Sequence, residues 1–268
     1  MSTVESICLV GWGAIGQRVA ALLKARGANA RIVGIAVRDA KEVEGTMPEG
    51  AVHVAGPEAL AAIGATLVVE AASRESVLPF ARAALSAGMD FAVSSTSALV
   101  DAAVLDELVG LARRNDCKLI IPPGALGGID ALSAAARLGL DSVEHVITKP
   151  ARAWLGTPAQ ERCRLGELEE AVAFFEGSAA EAATAFPQNA NVAATTSLAG
   201  IGMQRTRVRL VADPKATENM HCIHAHGAFG TLEIRLQNRP LATNPKSSEM
   251  TALNLVRMIE NRSNPLVL

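Results

Sequence analysis

The sequence predicts an α/β protein in two parts: an N-terminal, doubly wound parallel sheet, and a second α/β domain in which a mixed sheet is covered by helices. Three observations carry this reading. The chain opens with a strand, a glycine-rich turn, a helix and a second strand; strands and helices then alternate as far as Ile121; and beyond Pro122-Pro123-Gly124 strands arrive in succession instead of in alternation.

Each element has a local cause. Ser6–Val10 is a short apolar run that ends at Gly11, and Ala14–Arg26 repeats apolar residues at helical spacing until Gly27 stops it. The β-branched run Arg31–Val37 closes a βαβ unit, whose right-handed crossover makes its two strands parallel. Leu67–Glu70, Phe91–Ser94 and Lys118–Ile121 read as further buried strands, separated by helical patterns at Glu75–Ala87 and Asp101–Asn115. The two prolines at 122 and 123 lack backbone donors and turn the preceding residue away from helix, which sets a boundary between a first domain, 1–123, and a second, 124–244. In the second domain the patterns predict helices at Gly128–Arg137, Glu169–Phe175, Ala179–Phe186 and Val192–Ala199. Strands are expected at Val143–Thr148, Arg207–Val211, Cys222–His226 and Thr231–Gln237. A last helix, Glu249–Glu260, follows Asn244-Pro245-Lys246-Ser247 with Ser247 or Ser248 as its cap, and the segment 245–268 is expected to rejoin the first domain.

Composition excludes several classes of function. Half of the 268 residues are apolar and 19% are charged, enough to bury two cores and too few charges for a disordered chain. The absence of tyrosine removes any phenol chemistry. Twenty-five Lys and Arg against 27 Asp and Glu leave a net charge of −2, which argues against a nucleic-acid partner. Cys8, Cys117, Cys163 and Cys222 are scattered without a CxxC pair, so neither a thiolate metal cage nor a disulfide framework is expected. No apolar run approaches the ~20 residues of a membrane span, and a soluble, cytoplasmic protein is expected.

Gly11-Trp12-Gly13-Ala14-Ile15-Gly16 fits GxGxxG directly after a strand and at the opening of a helix, the setting that gives the pattern meaning. Gly11 permits the tight turn, Gly13 admits a pyrophosphate against the backbone, and Gly16 lets helix and strand pack closely. The amides of Ala14 and Ile15 stand at the helix start, where unpaired N–H groups and the helix dipole favour an anion. This is the Rossmann fingerprint, and NAD or NADP is the expected cofactor. Asp39 stands 23 residues after Gly16, near the spacing at which a carboxylate takes the ribose hydroxyls of NAD, while its neighbour Arg38 suits the 2′-phosphate of NADP.

Hydride transfer from a C–N or C–OH group needs a base, and imidazole is the side chain whose ordinary pKa lies near neutrality. Of five histidines, His221, His224 and His226 share one strand pattern, where alternation sends His224 and His226 to one face and His221 to the other. That split, with no HExxH, argues against a metal, and alternation alone leaves the choice among the three open. His53 reads as a packing residue beside a short edge strand.

The chain resembles the L-aspartate dehydrogenase family through the phrases Gly11–Gly16, Ile121–Gly127 (IPPGALG), Lys149-Pro150-Ala151, Trp154–Pro158 (WLGTP), Phe186–Ala194 (FPQNANVAA), Glu218–His221 and Asn244–Ser248 (NPKSS), a resemblance that covers nearly its whole length. The resemblance implies that His221 is the catalytic histidine and that Ala125 and Asn191 contact the dinucleotide; Asn191 also suits an N-cap. It implies oxidation of L-aspartate to iminoaspartate, hydrolysed to oxaloacetate and ammonia or passed to pyridine nucleotide synthesis. A homodimer or other homo-oligomer is expected, with the active site between its two domains. A dianionic substrate needs cationic or amide donors for its two carboxylates, and Lys149, Thr195, Thr196, Lys246 and Ser247, which lie near these motifs, are the candidates. A reductase of the dihydrodipicolinate type and a non-catalytic NAD(P)-binding sensor are the alternatives.

Overall fold

The computed structural model describes residues 4–267, with the side chains of Gln188, Pro245 and Lys246 outside the description. The chain divides into two compact units, one running to Gly124 and resuming at Thr251, the other spanning Ala125–Met250.

The first unit carries β1 (Glu5–Val10), α1 (Ala14–Arg26), β2 (Ala30–Ala36), β3 (Val52–Val54), β4 (Leu67–Glu70), α2 (Arg74–Ser86), β5 (Asp90–Val93), α3 (Ala102–Arg114) and β6 (Leu119–Ile120). Its six strands are all parallel in the order β3-β2-β1-β4-β5-β6. The order reverses between β1 and β4, and ligands of such sheets bind in the crevice at the carboxyl ends of the strands at that switch point. Ile7, Leu9, Leu67 and Val69 from the sheet pack with Val19 and Leu23 of α1 in one buried cluster. The final helix, α8 (Glu249–Ser263), adds Ala252, Leu255, Val256 and Ile259 to that same cluster. Its Arg262 is drawn to the ends of two strands, with Nη1 2.6 Å from Asp90 Oδ2 and Nε 2.9 Å from Glu5 Oε1. Ser248, not Ser247, caps the helix: its Oγ accepts from the Met250 amide at 3.2 Å.

The second unit carries α4 (Ile129–Ala135), β7 (Leu140–Pro150), α5 (Ala159–Arg162), β8 (Val172–Ser178), α6 (Ala179–Ala185), α7 (Ala190–Ala199), β9 (Arg207–Asp213), β10 (Asn219–Gly227) and β11 (Gly230–Asn238), followed by the small pair β12 (Pro240–Leu241) and β13 (Asn244–Ser248). The main sheet is mixed, in the order β11-β10-β7-β9-β8: β7 and β9 are parallel and the other neighbours antiparallel. Its buried face presents Val143, Ile147, Val208, Leu210, Ile223 and Ala225 to residues of α4, α6 and α7.

Two local expectations fail here. Residues 169–175 are not a helix; from Val172 they form the edge strand β8. The register of β8 on β9 slips between Ala173 and Phe175, a bulge that lets Phe174 and Phe175 both reach the Phe186 ring, at 5.6 and 5.4 Å between centroids. A helix would turn consecutive side chains about 100° apart, so burial against Phe186 and Trp154 outweighs the helical preference of the Glu169-Glu170 stretch. Nor is Asn191 an N-cap: α7 begins at Ala190 after Asn189, which puts Asn191 inside the first turn.

Candidate active site

The glycine loop of the first unit has the local geometry that a bound diphosphate requires. Gly11 holds φ +98°, and a Cβ there would press within 2.7 Å of Ala72 Cβ. A Cβ on Gly16 would collide with the Gly11 carbonyl oxygen, whereas Gly13, which precedes α1, faces open space within 4 Å. The first two glycines of the pattern therefore serve a turn and an open approach, and the third serves contact between α1 and β1. Ala14 and Ile15 open the helix. A cavity of about 850 Å³ adjoins the loop, lined by Gly11, Gly13, Arg38, Glu42, Ala72 and Ser73 among others. This is a cradle that fits a dinucleotide at a switch point.

Arg38 and Asp39 behave differently. Arg38 lines the cavity, whereas Asp39 caps the turn that follows, its Oδ1 accepting from the Lys41 amide at 3.0 Å. Glu42, which completes the capping box with Asp39, is the carboxylate that borders the cavity. Glu70 is a further residue that sequence reasoning missed. Fully buried at the end of β4, it accepts from the amides of Ala72, Ser94 and Ser95 at 2.8, 3.1 and 2.8 Å and from Ser95 Oγ at 2.9 Å. Burial raises its carboxyl pKa while the Ser95, Ala72 and Ser94 donors oppose the rise. It thereby ties the loops after β4 and β5 to one point. The only sequence signal was an acid closing an apolar strand.

In the second unit the sheet register assembles the chemistry. On β7 the residues His145, Ile147 and Lys149 share one face, and His221 of β10 lies opposite Ile147, so His145 and Lys149 flank it diagonally. His221 is 5% exposed and His145 is fully buried. Their rings meet at 3.1 Å, His145 Nε2 to His221 Nδ1, and the far nitrogen of His145, Nδ1, is 3.0 Å from Thr196 Oγ1 on α7. Thr196 in turn donates to the Val192 carbonyl at 3.0 Å. Burial, and then the charge of the other ring, holds His145 well below the usual histidine range; burial and the Lys149 ammonium push His221 down to about 4. Burial also brings Lys149 down to about 8, with Nζ 5.1 Å above the Trp154 ring. At neutral pH the group is thus a neutral imidazole beside an ammonium.

The remaining candidates are distributed unevenly. Thr195 and Thr196 are poor carboxylate ligands because each has one hydroxyl proton and gives it to the carbonyl four residues back, Thr195 to Asn191 O at 3.0 Å and Thr196 to Val192 O. Ser247 accepts from Asn244 Nδ2 at 3.2 Å and stands outside the hydrogen-bond network of His221 among the described residues. The Lys246 side chain is outside the described residues. Ala125 is half-buried, its carbonyl accepting from Asn238 Nδ2 at 2.6 Å, and Asn191 is exposed. His53 Nε2 is 3.0 Å from Val37 O, just past the end of the neighbouring strand β2.

On the opposite face of β10, His226 Nδ1 is 3.3 Å from Asp141 Oδ2, while His224 turns to Cys222, Nε2 to Sγ 3.2 Å. With Glu233 these two bring three donor atoms within 4.8 Å of one another. No fourth His, Cys, Asp or Glu joins them among the described residues.

Comparison with known proteins gives a consistent set of likenesses. Residues 130–262 match the family model described as aspartate dehydrogenase, C-terminal, and residues 11–122 match that described as homoserine dehydrogenase, NAD binding domain. The L-aspartate dehydrogenase of Brucella anthropi is 63% identical over 262 residues, covering 98% of each chain. That of Pseudomonas aeruginosa is 40% identical over 265 residues, covering 97% of this chain and 98% of the relative. The crystal structure of aspartate dehydrogenase from Thermotoga maritima superposes with a TM-score of 0.79 at 25% identity, covering 98% of this chain and 99% of that one.

Proposed function

The chain belongs to the L-aspartate dehydrogenase family, and from that premise we propose how its own residues carry out the NAD(P)-dependent oxidation of L-aspartate. Membership sets aside the reductase and sensor alternatives. The glycine cradle Gly11, Gly13, Ala14, Ile15 and Gly16 holds the diphosphate, Arg38 meets the adenosine ribose from the cavity wall, Asp39 reaches it by the carboxylate oxygen that does not cap the turn, and Ala125 and Asn191 contact the dinucleotide. When bound, the nicotinamide supplies the acceptor for the hydride that leaves Cα of the substrate.

His221 is the general base. As the C–N bond of L-aspartate becomes C=N, the nitrogen sheds a proton and imidazole accepts it; hydride and proton together account for the conversion of amine to imine, iminoaspartate. Lys149 holds a substrate carboxylate by a charge-assisted hydrogen bond. The observation that carries this reading is geometric: His221 of β10 stands opposite Ile147, so that it shares a buried sheet face with Lys149 of β7, and burial keeps the imidazole neutral at pH 7 beside a cation suited to an acidic amino acid. Replacing His221 by Ala is expected to lower kcat by ~10²–10⁴, the worth of a positioned base, with NADH binding unchanged. Near wild-type turnover would remove His221 from the role.

Iminoaspartate is then hydrolysed to oxaloacetate and ammonia or consumed in pyridine nucleotide synthesis. We place the enzyme in the cytoplasm as a homo-oligomer without nucleic-acid or membrane partners. The net charge of −2 and four free cysteines support that placement, as does the lack, among the described residues, of a helix long and apolar enough to cross a membrane. Sedimentation of the purified protein tests the assembly, a monomer at micromolar concentration counting against it.

A further inference from the structure

The hydrogen bonds behind His221 admit a proton count. Three contacts run in series: Thr196 Oγ1 to Val192 O, Thr196 Oγ1 to His145 Nδ1, and His145 Nε2 to His221 Nδ1, at 3.0, 3.0 and 3.1 Å. Each needs one proton. With both rings neutral, three are available: the threonine hydroxyl's, one on His145 and one on His221. One end of the series is a backbone carbonyl, which only accepts, so the Thr196 proton points to Val192. The reverse setting would leave two oxygens 3.0 Å apart with no proton between them. Thr196 then receives the Nδ1–H of His145, and the bare His145 Nε2 receives the Nδ1–H of His221.

We propose that Thr196 and His145 are positioning residues that hold His221 as its Nδ1–H tautomer, leaving the lone pair on Nε2 as the proton acceptor of the reaction. The proposal rests on the reading of His221 as the base, and it assigns a task to two groups that reading does not use. Both are fully buried, so neither needs to touch substrate. The chain does for His221 what a buried carboxylate does for the histidine of a serine protease, by neutral groups instead of a charge. A neutral partner suits a site that already holds the Lys149 ammonium, because it adds no carboxylate to compete for that cation. After His221 has taken a proton at Nε2, its Nδ1–H still donates to His145, so the series need not rearrange during turnover.

The test uses the full-length enzyme with ¹⁵N-labelled histidine. In the ligand-free wild type near pH 7, two-bond ¹H–¹⁵N correlations are expected to show His221 protonated at Nδ1 and bare at Nε2, with the H221A spectrum identifying the signals. Thr196→Val keeps the shape of the side chain and removes the acceptor that fixes the His145 proton; the Nε2–H form of His221 should then be populated. Its kcat should fall ~10–100-fold, the range known for metal-ligating histidines that lose the partner orienting them, with a much smaller change in KM for L-aspartate. Thr196→Ser retains the hydroxyl and should restore both tautomer and kcat. A wild-type His221 protonated at Nε2, a Thr196→Val enzyme with unchanged kcat, or one that loses activity while the His221 proton stays on Nδ1 would each overturn the proposal. An active His221→Ala enzyme would instead overturn the assignment of the base and leave the tautomer measurement standing.

Discussion

Lys149→Met separates the two roles proposed for Lys149, partner of a substrate carboxylate and neighbour of the base. Methionine keeps an unbranched stem to pack near Trp154, over which the ammonium sits at 5.1 Å, and it removes the charge. Losing a charge-assisted hydrogen bond to a substrate carboxylate costs ~1.5–3 kcal/mol. At about 1.4 kcal/mol per tenfold, KM for L-aspartate should rise ~10- to 150-fold. A second consequence follows from the flanking arrangement on β7. The ammonium is one of the two causes that push His221 down to about 4, so the histidine should titrate higher in the variant, with burial alone still holding it below its ordinary 6.5. In the wild type Lys149 loses its charge above about 8, and KM should climb there; in Lys149→Met that climb should vanish. Initial rates of NADH formation against L-aspartate concentration, across the pH range at saturating NAD, read all three effects. A KM within twofold of wild type, with the acid limb of the profile unmoved, would refute the placement of Lys149 against the substrate and beside the base.

Stability should depend on pH through the same histidines. His221 titrates near 4 when folded and 6.5 is its ordinary value; between them the unfolded chain binds a proton that the folded chain does not, so stability falls as pH drops through that window. That difference is worth about 3 kcal/mol in total, and buried His145 acts in the same direction. Urea unfolding at pH 7 and pH 4.5 should show the loss, reduced in His221→Leu; equal slopes in the two proteins would exclude this source. At the cofactor loop, Arg38→Ala should weaken NADPH at least ~10-fold more than NADH by removing a charge-assisted partner of a 2′-phosphate. Asp39→Ala should do the reverse, and titration calorimetry showing equal effects on both nucleotides would refute the division of labour.

How much of this was legible along the chain depended on the distance between partners. Gly11, Gly13 and Gly16 were readable because a strand, turn and helix start are settled within a dozen residues by backbone sterics. Alternation along Cys222–His226 likewise put His221 on its own face without tertiary knowledge. Residues 169–175 were misread because helix or strand was decided by two phenylalanines reaching Phe186, a contact that no local window contains. Glu70 looked like the end of a strand until Ser94 and Ser95 closed on it.

His145 is 76 residues from His221 and 51 from Thr196, and only the pairing of β7 with β10 and the packing of α7 bring the three together. Sequence by itself determined which residue types and which faces were available, since turn sterics and side-chain periodicity act between near neighbours. The tertiary structure decided the register, and with it the burial of His221, its contact with His145 and its neighbouring Lys149 charge, because those properties arise from groups that meet only when the sheet closes.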